Sequence, residues 1–405
     1  MANSTKECLA IIPARGGSKG IPRKNLRMIA GRPLVAWTID AALNAQHVTR
    51  TVVSTDDAEI ASVARSFGAE VVARPAEISG DTASSESALL YTLSQLEREE
   101  NYRPDLLAFL QCTSPLIESG DIDGAVEALL RDTADSALSV CRFNHFAWKQ
   151  TDDGSAIGIN HDKSFRPRRQ DREPQYLETG AVYVMRTEGF KIAKHRFFGK
   201  TTMHEMPGAR AMEIDEPHEL VVAESLLRAR MRLATRQQLP KPVGAVVFDF
   251  DGVFTDNGVW LDQEGREAVV CRRDDGMGIS LLRRLDIPIL VLSTEANPVV
   301  AARCRKLQIE CVQACTDKLS TLTRWAERRN IDRSKLVYAG NDLNDVECLA
   351  WAGCGVAVAD AYPAAHQAAR VVLSRAGGQG AVRELCDLIL ENASEWISVA
   401  ERKSA

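Results

Sequence analysis

The sequence predicts an α/β protein of two domains, each built on a mostly parallel sheet. Three observations carry that prediction. Apolar runs ending in turn residues alternate with stretches of helical period, the pattern of βαβ units. The chain has 405 residues, more than the roughly 250 to 300 at which a single core stops growing. A polar stretch with two prolines, TRQQLPKPV at 235–243, separates two such alternating series.

The first series opens with a buried strand, CLAIIPA, followed by a helix in PLVAWTIDAALNA, a strand in RTVVSTD and a helix in DAEIASVARSFG. Further strands are expected at 105–111, 135–143 and 180–186, and a helix over about 217–234 closes the series. Residues 1–234 are therefore the first domain, 235–243 the linker and 244–405 the second domain. The second series begins with the strand GAVVFDF and alternates to about Leu390. After its first strand, 259–273 reads as a hairpin, with an Asn257-Gly258 turn leading in and Gly265 near its tip. Only a small lid fits there.

A net charge of −5 with 26% charged residues offers no basic excess for a nucleic-acid backbone, so any phosphate site must be local. No stretch approaches the roughly 18 apolar residues of a membrane span, and the first apolar run is too short for a signal segment. A cytoplasmic address is expected. The ten cysteines lack paired CxxC spacing and read as reduced thiols; Cys311 and Cys315, four apart, read as core rather than zinc ligands.

The run IIPARGGSKGIPRKNL at 11–26 follows the first strand. Its glycines leave amides open to a phosphate, and Arg15, Lys19, Arg23 and Lys24 can neutralise triphosphate oxygens. It matches neither GxxxxGK[ST] nor GxGxxG, so neither a P-loop nor a dinucleotide fold is supported. ARGGSKGIPRKN resembles the signature of the acylneuraminate cytidylyltransferases, the CMP-sialic acid synthetases. RPAEISGDTASS (74–85), LQCTSPL (110–116), RRQD (168–171), ETGAVYV (178–184), RFF (196–198) and EID (213–215) follow in the order of that family.

The resemblance implies a nucleotidyltransferase-type, Rossmann-like mixed sheet and attack of a nine-carbon 2-keto sugar acid on CTP, releasing pyrophosphate. It assigns Arg15, Gly17, Ser18, Lys24, Asn25, Arg74, Ser85 and Gln111 to the nucleotide, with Arg15 and Lys24 also catalytic. Arg169 and Gln170 would meet the sugar acid, an arginine suiting a carboxylate. Phe197 and Phe198 correspond to an aromatic pair that reaches a neighbouring subunit's site, which implies a dimer. Glu213 and Asp215, two apart on an expected short strand, would project from one face and hold Mg2+. Glu213 stands where the family commonly has aspartate, which makes Asp215 the safer ligand.

VFDFDGVFTDN at 247–257 puts two acids at the end of a buried strand, where ligands of parallel sheets commonly sit. With STE at 293–295, TDKLSTL at 316–322 and GNDLND at 340–345 it resembles the haloacid dehalogenase-like phosphatases, in the small-lidded branch acting on sugar-acid phosphates. That likeness implies a Rossmannoid sheet with a hairpin lid, Asp249 as nucleophile and Asp251 as general acid and base. It makes Lys318 the group steadying the nucleophile, Ser293 and Glu295 substrate contacts, and Mg2+ the metal. Asp249, Asp251 and either Asn341 or Asp342 would hold that metal. Relatives with so small a lid assemble as tetramers, so a homodimer or homotetramer is expected. The fusion suggests hydrolysis of a sugar-acid 9-phosphate followed by cytidylylation of the free acid. The alternative is a second domain that is a silent oligomerisation module; Asp249, Asp251 and Lys318 argue against it.

Overall fold

The strand Cys8–Pro13 is buried along nearly its whole length, as a central parallel strand covered on both faces must be. In the computed structural model, which describes residues 6–17, 20–80 and 83–403 with the side chains of 394–403 excepted, it pairs in parallel with Arg50–Thr55 and with Leu106–Leu110. The seven-stranded order is Thr201–Glu205, Ser136–Arg142, Tyr176–Arg186, Leu106–Leu110, Cys8–Pro13, Arg50–Thr55, Glu70–Ala73. Tyr176–Arg186 runs antiparallel to both of its neighbours, which makes the sheet mixed. One face is covered by a core containing Val35, Ile39, Ile122 and Val126, the other by one containing Leu89, Leu93 and Phe190.

The second sheet is wholly parallel, in the order Glu310–Val312, Ile289–Leu292, Ala245–Phe248, Leu336–Gly340, Cys354–Ala357, Val371–Val372. In chain order this reads 3-2-1-4-5-6, the doubly wound arrangement whose strand order reverses beside the first strand. Crevices form at that reversal, outside the carboxyl ends of the strands. The lid is a two-stranded hairpin, Trp260–Leu261 with Glu267–Ala268; Asn257 leads into it at φ 65° and Gly265 turns its tip at φ 75°.

Two local expectations differ from what is observed. The stretch read as a linker from Thr235 begins inside a helix, Pro217–Gln238, and the chain divides into compact units at Met1–Arg228 and Ala229–Ala405. TRQQ contains no helix breaker, so Thr235 hydroxyl caps back to the Met231 carbonyl and Arg236 bonds the Asn392 amide oxygen. Leu239, just past the helix, is buried in the second core. Polar residues hid this helix because it has only a narrow covered face. The second difference is at residues 211–215, which form no strand: Ala211 and Met212 bond back to their own turn, and Ile214 N–H donates to the Thr113 carbonyl.

Candidate active sites

At the carboxyl end of the first sheet a cavity of about 280 Å³ is lined by Arg15, Gly17, Lys24, Asn25, Arg74 and Ser85, with Ser84, Cys112 and Thr113 among its other walls. These residues come from loops after three different strands and from one helix start. Asn25 is buried; its Nδ2 donates to the Arg15 carbonyl and its Oδ1 accepts from the Cys112 thiol, so it braces the glycine-rich loop. Ser84 is the cap of the helix Ser85–Glu100, accepting from the Ser87 amide, which leaves Ser85 in the first turn facing the cavity. A helix start favours an anion there. Arg74 is buried, and that desolvation lowers its pKa while the Asp56 carboxylate opposes the shift. Arg23 pairs instead with Glu59, at 2.5 Å.

Lys24 Nζ donates to the Ile214 carbonyl at 2.6 Å and to Asp215 Oδ1 at 3.1 Å, joining the loop to the acid pair. Glu213 lies against Gly180, where a Cβ would come 2.2 Å from Oε1. The extra methylene of Glu213 is thus accommodated by a glycine with φ 69°. Burial, then the charge of Asp215, raises the Glu213 pKa. A second cation would relieve that repulsion, so this pair fits a divalent metal by its donors, with exposed Asp215 the more available.

Other sequence-read residues are not among those lining this cavity. Gln111, Arg169 and Gln170 are not in its lining, and Arg169 and Gln170 sit in an exposed 3-10 turn. Phe197 and Phe198 are half-buried against their own unit's core, Phe197 edge-on to Tyr183. Ser18 lies outside the described residues. A residue that the RFF motif contains but to which no role was assigned is Arg196: its Nε donates to Glu86 at 2.7 Å and its guanidinium lies over Phe109 and Tyr183. Glu86 follows Ser85, so this half-buried pair ties the cavity-facing helix start to the sheet. Nothing in the local sequence marks a partner 110 residues away.

In the second unit a cavity of about 470 Å³ is lined by Asp249, Asp251, Glu267, Thr294, Glu295, Asn341 and Asp342 among others. Lys318 Nζ lies 2.8 Å from both Asp249 Oδ1 and Asp345 Oδ1, and all three side chains are buried. Asp345 is held in turn by the Tyr338 hydroxyl and the Asn341 amide, at 2.6 and 2.9 Å. Burial first, then the charge of Asp345, pushes the Asp249 carboxyl up despite Lys318. Asp251 is also raised, by burial and then by Glu295. Ser293 is buried with its hydroxyl accepting from the Glu295 amide, and Thr294 rather than Ser293 lines the cavity.

The donor set fits a divalent cation on one further observation. Asn341 Oδ1 is buried without a hydrogen-bond partner, a costly state for an acceptor facing a carboxylate centre. Gly252, at φ 77°, allows this approach, because a Cβ there would meet Asn341 Nδ2 at 2.0 Å. Asp342 instead spends Oδ1 on the Leu343 amide.

A cation-lined cavity on a mixed sheet, followed by an Asp–Lys–Asp centre on a parallel one, defines a nucleotidyltransferase joined to a haloacid dehalogenase-like hydrolase. The sequence profile of the cytidylyltransferases matches residues 9–231, and that of the haloacid dehalogenase-like hydrolases residues 295–385. N-acylneuraminate cytidylyltransferase A of Danio rerio is 32% identical over 94% of this chain and 88% of its own length. The N-acylneuraminate cytidylyltransferase of Escherichia coli O18:K1:H7 is 30% identical over 60% of this chain and 58% of its own. The chain belongs to the N-acylneuraminate cytidylyltransferase family. Among solved structures, 3-deoxy-D-manno-octulosonate 8-phosphate phosphatase from Yersinia pestis is 30% identical over 40% of this chain and 86% of that one, with a TM-score of 0.37.

Proposed function

We propose that the first unit makes the CMP ester of a nine-carbon 2-keto sugar acid from CTP, releasing pyrophosphate, and that the second removes phosphate from the 9-phosphate of such an acid. The convergence of Arg15, Lys24 and Arg74 on one cavity supports the first activity, since the step gathers negative charge on phosphate oxygens. Arg15 and Lys24 neutralise that charge, Ser85 presents a helix start, and Asp215 with Glu213 would hold Mg2+. Arg169, Gln170, Phe197 and Phe198 remain candidates for the sugar acid, and Gln111 for the base.

In the second unit the buried Lys318 between two carboxylates supports phosphoryl transfer. Asp249 attacks phosphorus in line, Asp251 gives a proton to the leaving sugar oxygen and then takes one from the water that cleaves the aspartyl phosphate. Lys318 aims Asp249 and favours its charged form against the opposing push of burial and Asp345. Mg2+, when bound by Asp249, Asp251 and Asn341, with Asp342 beside them, would supply Lewis-acid neutralisation of the phosphoryl oxygens. Ser293, through the loop amide of Glu295, shapes the substrate wall.

A homodimer or homotetramer is the working form. The exposed lid residues Val259, Trp260 and Leu261 support it, being apolar side chains that a neighbour would cover. A cytoplasmic setting agrees with ten free thiols. Among the described residues no helix is long and apolar enough to cross a membrane.

The test uses two variants of the full chain. Asp249→Asn should lower phosphate release from a 9-phosphorylated sugar acid by about a thousandfold or more while CMP transfer stays near wild type. Arg15→Ala should do the reverse. Equal loss of both activities in either variant, or no phosphate release by the wild type, would overturn the assignment. Light scattering tests the assembly, and a monomer retaining both activities would refute it.

A further inference from the structure

The loop after the strand Arg50–Thr55 carries two neighbouring acids, Asp56 and Asp57, and neither lines the nucleotide cavity. Asp57 has an evident duty: its Oδ1 accepts from the Glu59 and Ile60 amides and so caps the helix Ala58–Ser66. Asp56 caps nothing. Its Oδ1 accepts from the Gly16 amide at 3.0 Å, across 40 residues of sequence, and lies 3.8 Å from the Arg74 guanidinium. The first contact is a hydrogen bond and the second a charge contact.

The sheet order explains why one side chain can reach both. Arg50–Thr55 lies between Cys8–Pro13 and Glu70–Ala73, so its loop emerges between the loop holding Arg15 to Gly17 and the one holding Arg74. The Arg74 amide donates to the Thr55 carbonyl at 2.7 Å, which pins that third loop to the same place. The packing leaves no slack: a Cβ on Gly16 would fall 2.7 Å from Asp57 Oδ2. Arg74 is buried, with its Nε donating to Ser79 Oγ, and Arg15 repels it. A fixed carboxylate beside the Arg74 cation and a loop amide keeps in register two cavity walls that must accept a triphosphate together.

We infer that Asp56 is a positioning residue for the nucleotide: its carboxylate ties the glycine-rich loop to Arg74 and sets the spacing of the cavity walls before CTP enters. It touches no substrate. The inference rests on the reading of this cavity as the CTP site, and its effect is preorganisation, which is felt in nucleotide affinity.

The test is calorimetric titration of the full chain with CTP, together with KM for CTP and for N-acetylneuraminate, in Asp56→Ala and Asp56→Asn. Asp56→Ala should weaken CTP binding and raise its KM by about tenfold, the value of one charge-assisted contact. Asp56→Asn keeps an acceptor for the Gly16 amide without the charge and should fall between alanine and wild type, which also covers the case of an alanine variant that does not fold. KM for the sugar acid and the thermal midpoint should stay at wild-type values. Unchanged CTP affinity in both variants, or both KM values rising together with a lowered midpoint, overturns the inference while leaving the cavity assignment intact. A wild-type chain that binds no CTP overturns the cavity assignment, and the inference with it.

Discussion

Lys318 holds two carboxylates that would otherwise repel each other in a dry site, each 2.8 Å from its ammonium. Removing one partner of a buried ionic cluster leaves an uncompensated charge, at a cost of about 3 kcal/mol or more. Lys318→Met should therefore abolish phosphate release and lower the midpoint of chemical unfolding of the second unit. An unchanged midpoint would show that the cluster is not desolvated. Asp275 is a different case, a buried acid with Oδ1 accepting from the Arg383 amide and Oδ2 without a partner. Burial raises its pKa from the ordinary 3.8 to about 6. The folded state then holds this proton at pH values where the unfolded chain has lost it, so Asp275 lowers stability progressively as pH rises from about 4 to 6. Asp275→Asn should gain on the wild type across that window and keep a constant advantage above it. Thermal midpoints from pH 4.5 to 7.5 measure this, and a difference that does not vary with pH would exclude it.

Sequence alternation predicted the strand at 180–186, but the element begins at Tyr176 and shifts register between Glu178 and Tyr183. The irregularity is what lets Gly180 take φ 69° and admit the Glu213 carboxylate. Gly180→Ala meets two obstacles at once, a left-handed backbone that costs about 1–2 kcal/mol for an L side chain and a Cβ 2.2 Å from Glu213 Oε1. CMP transfer should fall sharply in this variant, with phosphate release unaffected. Normal CMP transfer would mean that Glu213 need not occupy this position. The helix Ser85–Glu100 has a comparable anchor in the pair of Glu86 with Arg196, which no periodicity along the helix could announce.

Each unit has its own buried core and its own cavity, so ligands should act on them separately. A ligand at about 100 times its Kd stabilises the state that binds it by about 2.7 kcal/mol. CTP should raise the unfolding transition of the first unit only, and Mg2+ with inorganic phosphate that of the second. Calorimetric scans resolve the two, and a CTP shift that disappears in Asp249→Asn would place the nucleotide in the wrong unit.

What the sequence by itself determined was whatever chain-local chemistry specifies. The alternating apolar runs defined two α/β sheets, and short runs such as ARGGSKGIPRKN and DFDGVFTD held neighbouring groups that serve one site. Lys24, Arg15 and Gly17 could be read together because they share one loop, and Asp249 with Asp251 because they end one strand. Tertiary structure decided the groups whose partners lie far along the chain: Asp56 beneath Gly16 and Arg74, Tyr338 and Asp345 behind Lys318, Glu213 against Gly180. It also carried a helix on through Gln238, into the polar stretch, and left 211–215 without a strand. The physical reason is range. Propensity and periodicity act over a few residues, whereas a buried carboxylate or a strained glycine is set by whatever the folded chain brings within a few ångströms of it.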